Sequence, residues 1–463
     1  MISSPTTAKR LGNGWILAGL CVFFAIINAQ HFLKIKNSDR ASSQTAFMRW
    51  VPQVRELADG VNIWQKYNWP NTPIMALILK PLMEIDPPYL GSQLWLFAKM
   101  IMSIVSIYLV FLMLDRPEHP FPFWGKALTV LLSLRPIEGD LVHGNVNLFI
   151  LFMIVVGLYA FSRHWNILAG LSLALGIACK ITPALFIPYL VWKRAWKTLA
   201  ATFVGLGLWL FIVPSFYFGW DHNKDCLKSW VDGMVLPFLV KNEITSEHQN
   251  QSLPGFLERM LRERPSITRP KEDRTGYEAL AYHHVANLSP QTLSIAIKGC
   301  LVGFCLLVMW RFQAPRDNRT DWRWMAEFGA VVLGMLIFSE RTWKHHAVTL
   351  LIPFAVIAHQ LTAFRLPRVL WWYLAVTIAL VMGLMLLTAS GLVVIFGVPD
   401  EQDVFGKFAQ VYGAYLWSFL LLLGAMFILA GRKANDPVRE VSEPAADGFA
   451  VRIPSAGRVL EPR

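Results

Sequence analysis

Residues 199–220 read LAATFVGLGLWLFIVPSFYFGW, 22 positions without one Asp, Glu, Lys or Arg. At 1.5 Å per residue a helix of this length reaches about 33 Å, enough to cross a hydrocarbon core about 30 Å thick. Three further uncharged runs, Leu11–Leu33, Val369–Pro399 and Phe408–Gly431, meet the same length. Shorter apolar runs bounded by charges lie at Met100–Leu114, Ala127–Leu134, Asn147–Ser162, Trp165–Cys179, Ile181–Trp192, Gly299–Trp310, Phe328–Ser339 and Ala347–Phe364. Together they predict an all-α polytopic membrane protein of about twelve transmembrane helices, some of which tilt, recruit polar flanks or sit inside the bundle.

Composition agrees. Of 463 residues, 55% are hydrophobic and 16% charged, against about 25% charged in soluble domains, and the mean hydropathy is +0.42. A soluble enzyme, a disordered chain and a nucleic-acid-binding domain are thereby excluded as first readings. The net charge of +12, 43 basic less 31 acidic residues, lies mainly in short loops, where it sets topology and meets membrane lipid headgroups rather than nucleic acid. The five cysteines (Cys21, Cys179, Cys226, Cys300, Cys305) form neither a disulfide framework nor a CxxC metal site. Lys9 and Arg10 ahead of a long apolar stretch resemble a signal peptide, but the stretch is long enough to span and no small-residue cleavage site follows, so an uncleaved first helix is expected.

By the positive-inside rule Lys9 and Arg10 face the cytoplasm. Alternate crossings then put the basic loops at Arg163, 193–197, 311–323, 365–368 and Arg432-Lys433 on the same side, with both termini cytoplasmic. The opposite face carries two long loops, 34–72 and 221–298. Pro73–Ile85 is apolar but too short to cross, so it lies along or within the membrane surface. The membrane domain covers 1–431, and the mixed-charge 432–463 reads as a disordered cytoplasmic tail. No internal repeat is visible, which weighs against transporters built from duplicated bundles. Gly205-Leu206-Gly207 lies within an apolar run without a strand–turn–helix context, so it is no dinucleotide loop.

Polar residues unusual for a membrane protein collect on the outer side: Asp39; Arg135, Glu138 and Asp140 beside His143-Gly144-Asn145-Val146-Asn147; Lys180; Asn250-Gln251-Ser252; and Glu340 to His346. Any one of these is explained by snorkelling or capping, but five separate turns converge. Such a set suits glycosyl transfer from a lipid-phosphate sugar, in which a carboxylate takes the acceptor hydroxyl proton and cationic, His or Asn donors stabilise the departing phosphate. His345 and His346 are adjacent, about 100° apart on a helix, and share one site only if the helix begins there; His346 is favoured. Their spacing is not that of a helical zinc pair, and no metal site or cofactor is expected.

Several stretches occur in an order that resembles glycosyltransferase family 87: Leu57–Gly60 through Tyr67-Asn68-Trp69-Pro70-Asn71-Thr72-Pro73 to Lys80-Pro81-Leu82; His143 to Leu148; Ala169-Gly170-Leu171 to Lys180-Ile181-Thr182-Pro183; Asn250 to Leu253; and Trp343-Lys344-His345-His346 with Leu350–Pro353. The resemblance implies a GT-C type bundle with two long extracytoplasmic loops and an inverting, metal-independent hexosyl transfer, with mannose the expected sugar. The donor would be a polyprenyl-phosphate sugar and the acceptor a glycan, glycolipid or lipid outside a bacterial inner (cell) membrane. It further implies a catalytic Asp, matched best by Asp39, which lies farther from Gly60 than the family spacing; Glu56, Asp59 and Asp140 are the other carboxylates. The substrate-binding candidates are His143, Asn145, Asn147, Lys180, Asn250, Gln251, Trp343, His345 and His346. A transporter or flippase of a lipid-linked sugar would place its polar groups at the bilayer midplane, and a glycan ligase would share the outer site with a different donor.

Overall fold

The computed structural model describes residues 5–36, 45–67, 69–270, 277–388 and 403–432. The chain begins with α1 (Pro5–Lys36), α2 (Ala46–Ala58), α3 (Ile63–Tyr67), α4 (Pro73–Met83) and α5 (Pro88–Leu114). It continues with α6 (Phe123–His143), α7 (Asn147–Ser162), α8 (Asn166–Cys179), a 3-10 turn (Thr182–Leu185), α9 (Phe186–Trp192) and α10 (Trp196–Gly207). A π turn (Leu208–Ile212) joins α10 to α11 (Val213–Phe218), after which come α12 (Trp220–Trp230), a second π turn (Val231–Val235), α13 (Leu236–Leu239) and α14 (Leu253–Leu261). A β-hairpin, β1 (Pro265–Pro270) with β2 (Tyr277–Tyr282), precedes α15 (Pro290–Arg311), α16 (Arg323–Ile337), a 3-10 turn (Lys344–Leu350) and α17 (Leu351–Ala363). The last helices are α18 (Arg368–Leu387), α19 (Asp403–Val411) and α20 (Ala414–Ala430).

Among the described residues six helical stretches are long and apolar enough to cross a membrane, and a seventh if α19 and α20, bent by 50°, form one span. The molecule is therefore a polytopic, mainly helical membrane protein. Lys344–Ala363 is 89% buried, whereas Pro290–Arg311 is 17% buried. The first is thus an axis of the bundle and the second a wall facing lipid, which is why α15 can be apolar all round. α16 packs on α17 and α20, and α6 on α17, around that axis.

Among the described residues the apolar runs fall mainly on helix, with 389–399 of the run Val369–Pro399 outside them, but several boundaries lie further out than the charges suggest. α5 starts at Pro88 and runs through Lys99; α15 starts at Pro290, where the Ser289 hydroxyl accepts the Thr292 N–H, and runs through Lys298. A single lysine does not end an apolar helix when it is paired or reaches water. The second loop consequently closes at Ser289, and it carries helices and a hairpin rather than coil. Pro73–Ile85 contains α4, whose 11 residues reach only about 16 Å, short of a crossing. Ile74, Met75, Leu79 and Met83 bury it within the bundle. The tail from 433 onward lies outside the described residues.

The basic loops meet at one end. Arg319 Nη1 donates to the Phe161 carbonyl (3.2 Å) and to Asn166 Oδ1 (2.7 Å), Arg316 Nη2 to the Trp192 carbonyl (3.3 Å), and Arg311 Nε to the Phe427 carbonyl (2.9 Å). At this end Glu327 is buried with Tyr189 Oη (2.6 Å), Lys193 Nζ (2.9 Å) and the Ala314 N–H (2.8 Å) all donating to it.

Gly170 and Gly205 let α8 and α10 approach closely. A Cβ on Gly170 would stand 2.5 Å from Ala201 Cβ and 2.6 Å from the Thr198 carbonyl oxygen, and one on Gly205 would stand 2.6 Å from Ala174 Cβ. The Gly205 match to a nucleotide loop is thus a packing seam. Gly170→Leu is expected to destabilise the detergent-solubilised protein by about 1–3 kcal/mol or more through overpacking. Gly303→Leu, where a Cβ meets nothing within 4 Å, should cause no loss; equal thermal-unfolding midpoints for the two variants would refute the seam.

Candidate functional site

At the end of the bundle opposite the basic loops, helix termini converge. α6 closes at Gly144, whose φ of +72° is available to glycine at little cost. Its N–H donates back to the Asp140 and Leu141 carbonyls, and α7 starts three residues later at Asn147. A Cβ on Gly144 would lie 2.8 Å from Thr45 Cβ, so the residue capping α2 sits against this turn. α8 ends before Lys180 and α16 ends at Ile337; the 3-10 turn that opens α17 begins at Lys344.

The turn is held from inside by Asp140, which is fully buried. Its Oδ1 accepts from Asn147 Nδ2 (2.8 Å), and its Oδ2 accepts from the Leu148 N–H (3.3 Å) and from Lys99 Nζ (3.3 Å), which also donates to the Asp140 carbonyl (2.8 Å). Asn147 Oδ1 accepts from Lys180 Nζ at 2.6 Å. Lys180 and Asn147, with Thr182, Ser339, Thr342 and His346, line a small recess of about 20 Å³. Beside it the His143 and His345 rings stack at 4.1 Å and 16°, and Asn145 Nδ2 donates to His345 Nε2 (3.2 Å). His143 Nε2 is buried without a hydrogen-bond partner. Trp343 lies edge-on to His345 at 5.4 Å, and its backbone N–H donates to His346 Nδ1 (3.3 Å). Both histidines reach the cluster because a helical turn does begin there, the condition under which adjacent residues share a site.

Asn250 and Gln251 are placed differently. Asn250 Nδ2 donates to the Thr245 (3.0 Å) and Glu340 (2.9 Å) carbonyls, while its Oδ1 accepts the Thr342 N–H (3.0 Å). Gln251 donates from its backbone N–H to the Thr342 carbonyl (2.6 Å) and from Nε2 to the Gln410 carbonyl (2.7 Å), and its Oε1 accepts the Tyr415 N–H (3.1 Å). Both are buried, with their amides turned to backbone. Nearby, the fully buried Arg259 donates Nε to the Val411 carbonyl (2.8 Å) and Nη1 to those of Ser246 (3.2 Å), Glu247 (3.0 Å) and Asn250 (3.1 Å). This clamp fixes the second loop over the segment that carries Trp343, His345 and His346.

The carboxylates separate by environment. Asp39 lies outside the described residues. Asp140 is enclosed, with both oxygens occupied. Glu56 accepts from Lys66 Nζ (2.7 Å) and Tyr67 Oη (2.6 Å), which hold its carboxyl below the usual range. Asp59 is exposed. Burial pushes the Glu340 carboxyl up, with Arg341 opposing. Lys99 escaped the sequence reading, where it served only as the edge of an apolar run. The signal was nonetheless present, since a lone lysine among apolar helix residues calls for a buried partner.

The profile of glycosyltransferase family 87 matches residues 69–339. The chain is 23% identical over 398 residues to a polyprenol-phosphate-mannose-dependent alpha-(1-2)-phosphatidylinositol mannoside mannosyltransferase of Mycolicibacterium smegmatis, covering 80% of this chain and 78% of that protein. It is 26% identical over 134 residues to the protein of the same description from Mycobacterium tuberculosis, covering 26% and 31% respectively.

Removing one partner of a buried ion pair leaves the other charge uncompensated. Asp140→Leu should therefore destabilise the protein by about 3–5 kcal/mol, and Lys99→Met combined with Asp140→Leu should recover most of that loss. Thermal unfolding of the wild type and both variants in one detergent checks this; a double variant no more stable than the single one would contradict it.

Proposed function

The chain belongs to glycosyltransferase family 87, and from that premise we propose that it transfers mannose, or a related hexose, from a polyprenyl phosphate to a glycolipid or glycan acceptor at the outer face of the cell membrane. The observation that carries the reading is the recess where Lys180, Asn147 and His346 meet, at the end of the bundle opposite the basic loops. With those loops cytoplasmic by the positive-inside rule, the recess opens outward. Both termini are then cytoplasmic, and the short helices bring the total to about twelve, the GT-C arrangement. The polyprenyl chain lies between helices, and its phosphate comes to the recess.

In the transfer, Asp39 takes the proton of the acceptor hydroxyl as that oxygen bonds to the anomeric carbon. The bond from that carbon to the phosphate oxygen breaks on the opposite face, inverting the centre, and its electron pair leaves with polyprenyl phosphate. Lys180 and His346 meet the departing phosphate; Asn145, His143, His345 and Trp343 form the sugar-facing rim; and Asn250 and Gln251 act by holding that rim in register. Thr45, packed against Gly144, follows the end of α1 at Lys36 by nine residues and Asp39 by six in sequence.

Membranes containing the wild type should transfer label from radiolabelled polyprenyl-phosphate mannose. Asp39→Asn should lower the rate by roughly 10²–10⁴-fold, the usual worth of a general base, and Lys180→Met should raise the KM for donor about 10–100-fold, as loss of a charged hydrogen bond does. Transfer by Asp39→Asn at the wild-type rate would remove Asp39 from its role. No transfer from any polyprenyl-phosphate sugar would overturn the donor assignment.

A further inference from the structure

Four polar side chains from four successive segments form one line: Lys99 in α5, Asp140 in α6, Asn147 at the start of α7, and Lys180 after α8. Their separations are 3.3 Å, 2.8 Å and 2.6 Å. An amide can face a neighbour with its oxygen or its NH2, and only the partners decide which. The Asp140 carboxylate accepts from Lys99 and from the Leu148 N–H, so it presents only acceptors to Asn147. The NH2 of Asn147 must therefore turn to Asp140, and its oxygen to the one remaining neighbour, the Lys180 ammonium. That ammonium spends one N–H on Asn147 and keeps two for the recess.

We infer that Asp140, acting through Asn147, is a positioning residue for Lys180: it sets the direction of the Asn147 amide and so aims the ammonium at an anion in the recess. The inference rests on the reading of Lys180 as the partner of the donor phosphate. It also accounts for a carboxylate that cannot itself act as the base, being enclosed and bonded through both oxygens. In Asp140→Asn the new amide oxygen can still serve Lys99 and the Leu148 N–H, which turns its NH2 toward Asn147. Asn147 must then rotate by half a turn and present its own NH2 to the ammonium, donor against donor, so Lys180 swings away. Exchanging the two groups, Asp140→Asn with Asn147→Asp, restores an acceptor in front of Lys180.

The test is equilibrium binding of polyprenyl phosphate, the product stripped of its sugar, to purified protein, alongside thermal unfolding. Asp140→Asn and Asn147→Ala should each raise its Kd at least tenfold while the KM for acceptor stays within threefold. The exchange variant should return Kd to within threefold of wild type. Lys99→Met with Asp140→Leu separates positioning from mere support, since it should regain stability and leave Kd raised. Wild-type binding with an unchanged Kd in Asp140→Asn and Asn147→Ala, or recovery of Kd together with stability in the Lys99→Met, Asp140→Leu variant, overturns the inference. Absence of polyprenyl phosphate binding by the wild type itself overturns the donor reading, and the relay with it.

Discussion

The ammonium of Lys99 lies with no exposure inside an apolar bundle, and the 140–148 turn, at the end opposite the basic loops, is arranged around satisfying it. Transferring such a charge out of water costs several kcal/mol even after relaxation, and the cost is recovered only with a close counter-charge and further hydrogen bonds. Asp140 supplies both, through its carboxylate and its own carbonyl. A carboxylate so committed in turn needs donors for its remaining lone pairs, and the Asn147 amide and the Leu148 N–H supply them. That demand folds the chain back sharply after His143, which requires the left-handed backbone at Gly144. It places the start of α7 under the recess.

The two ends of the bundle solve the same problem with opposite results. At the basic end Glu327 is the buried carboxylate, saturated by Tyr189, Lys193 and the Ala314 N–H, and these partners are themselves buried. It ties α9 to α16 and to the segment after α15, a purely architectural knot. At the opposite end the line of partners, among the described residues, stops at a lysine with donors to spare. Saturation at one end and an open valence at the other distinguish scaffold from site more clearly than the identities of the residues do.

Much of this was legible in the sequence because lipid imposes simple rules. Uncharged runs in lipid favour helix, and among the described residues these runs are mainly helical, while a Gly between two polar residues marks the 143–147 turn. The adjacency of His345 and His346 carried its own geometric condition, which the structure meets. Other features resist a linear reading. Lys99 and Asp140 are 41 residues apart, so nothing local pairs them, and the same lysine masks the true start of α5. Asn250 and Gln251 stand among the substrate-binding candidates through the family-like order of the motifs. Only the fold reveals that their partners are backbone groups of segments 90 and 159 residues away. The β-hairpin, whose second strand exposes nearly every residue, lacks the alternation by which a half-buried strand is recognised.

The 50° bend between α19 and α20 has a role beyond shape. A helix that ends leaves its last carbonyls without intrahelical donors, and at Gly413, with φ of +76°, the chain stops one helix and starts another. The Val411 carbonyl, and the Gln410 carbonyl that keeps only the Gly413 N–H of the turn, are the ones that Arg259 and Gln251 grasp. A straight, uninterrupted helix would have consumed them internally and offered the second loop a smooth wall. The interruption thus works as a receptacle: a defect in the hydrogen-bond ladder of one helix becomes the socket by which a distant loop is latched above the recess.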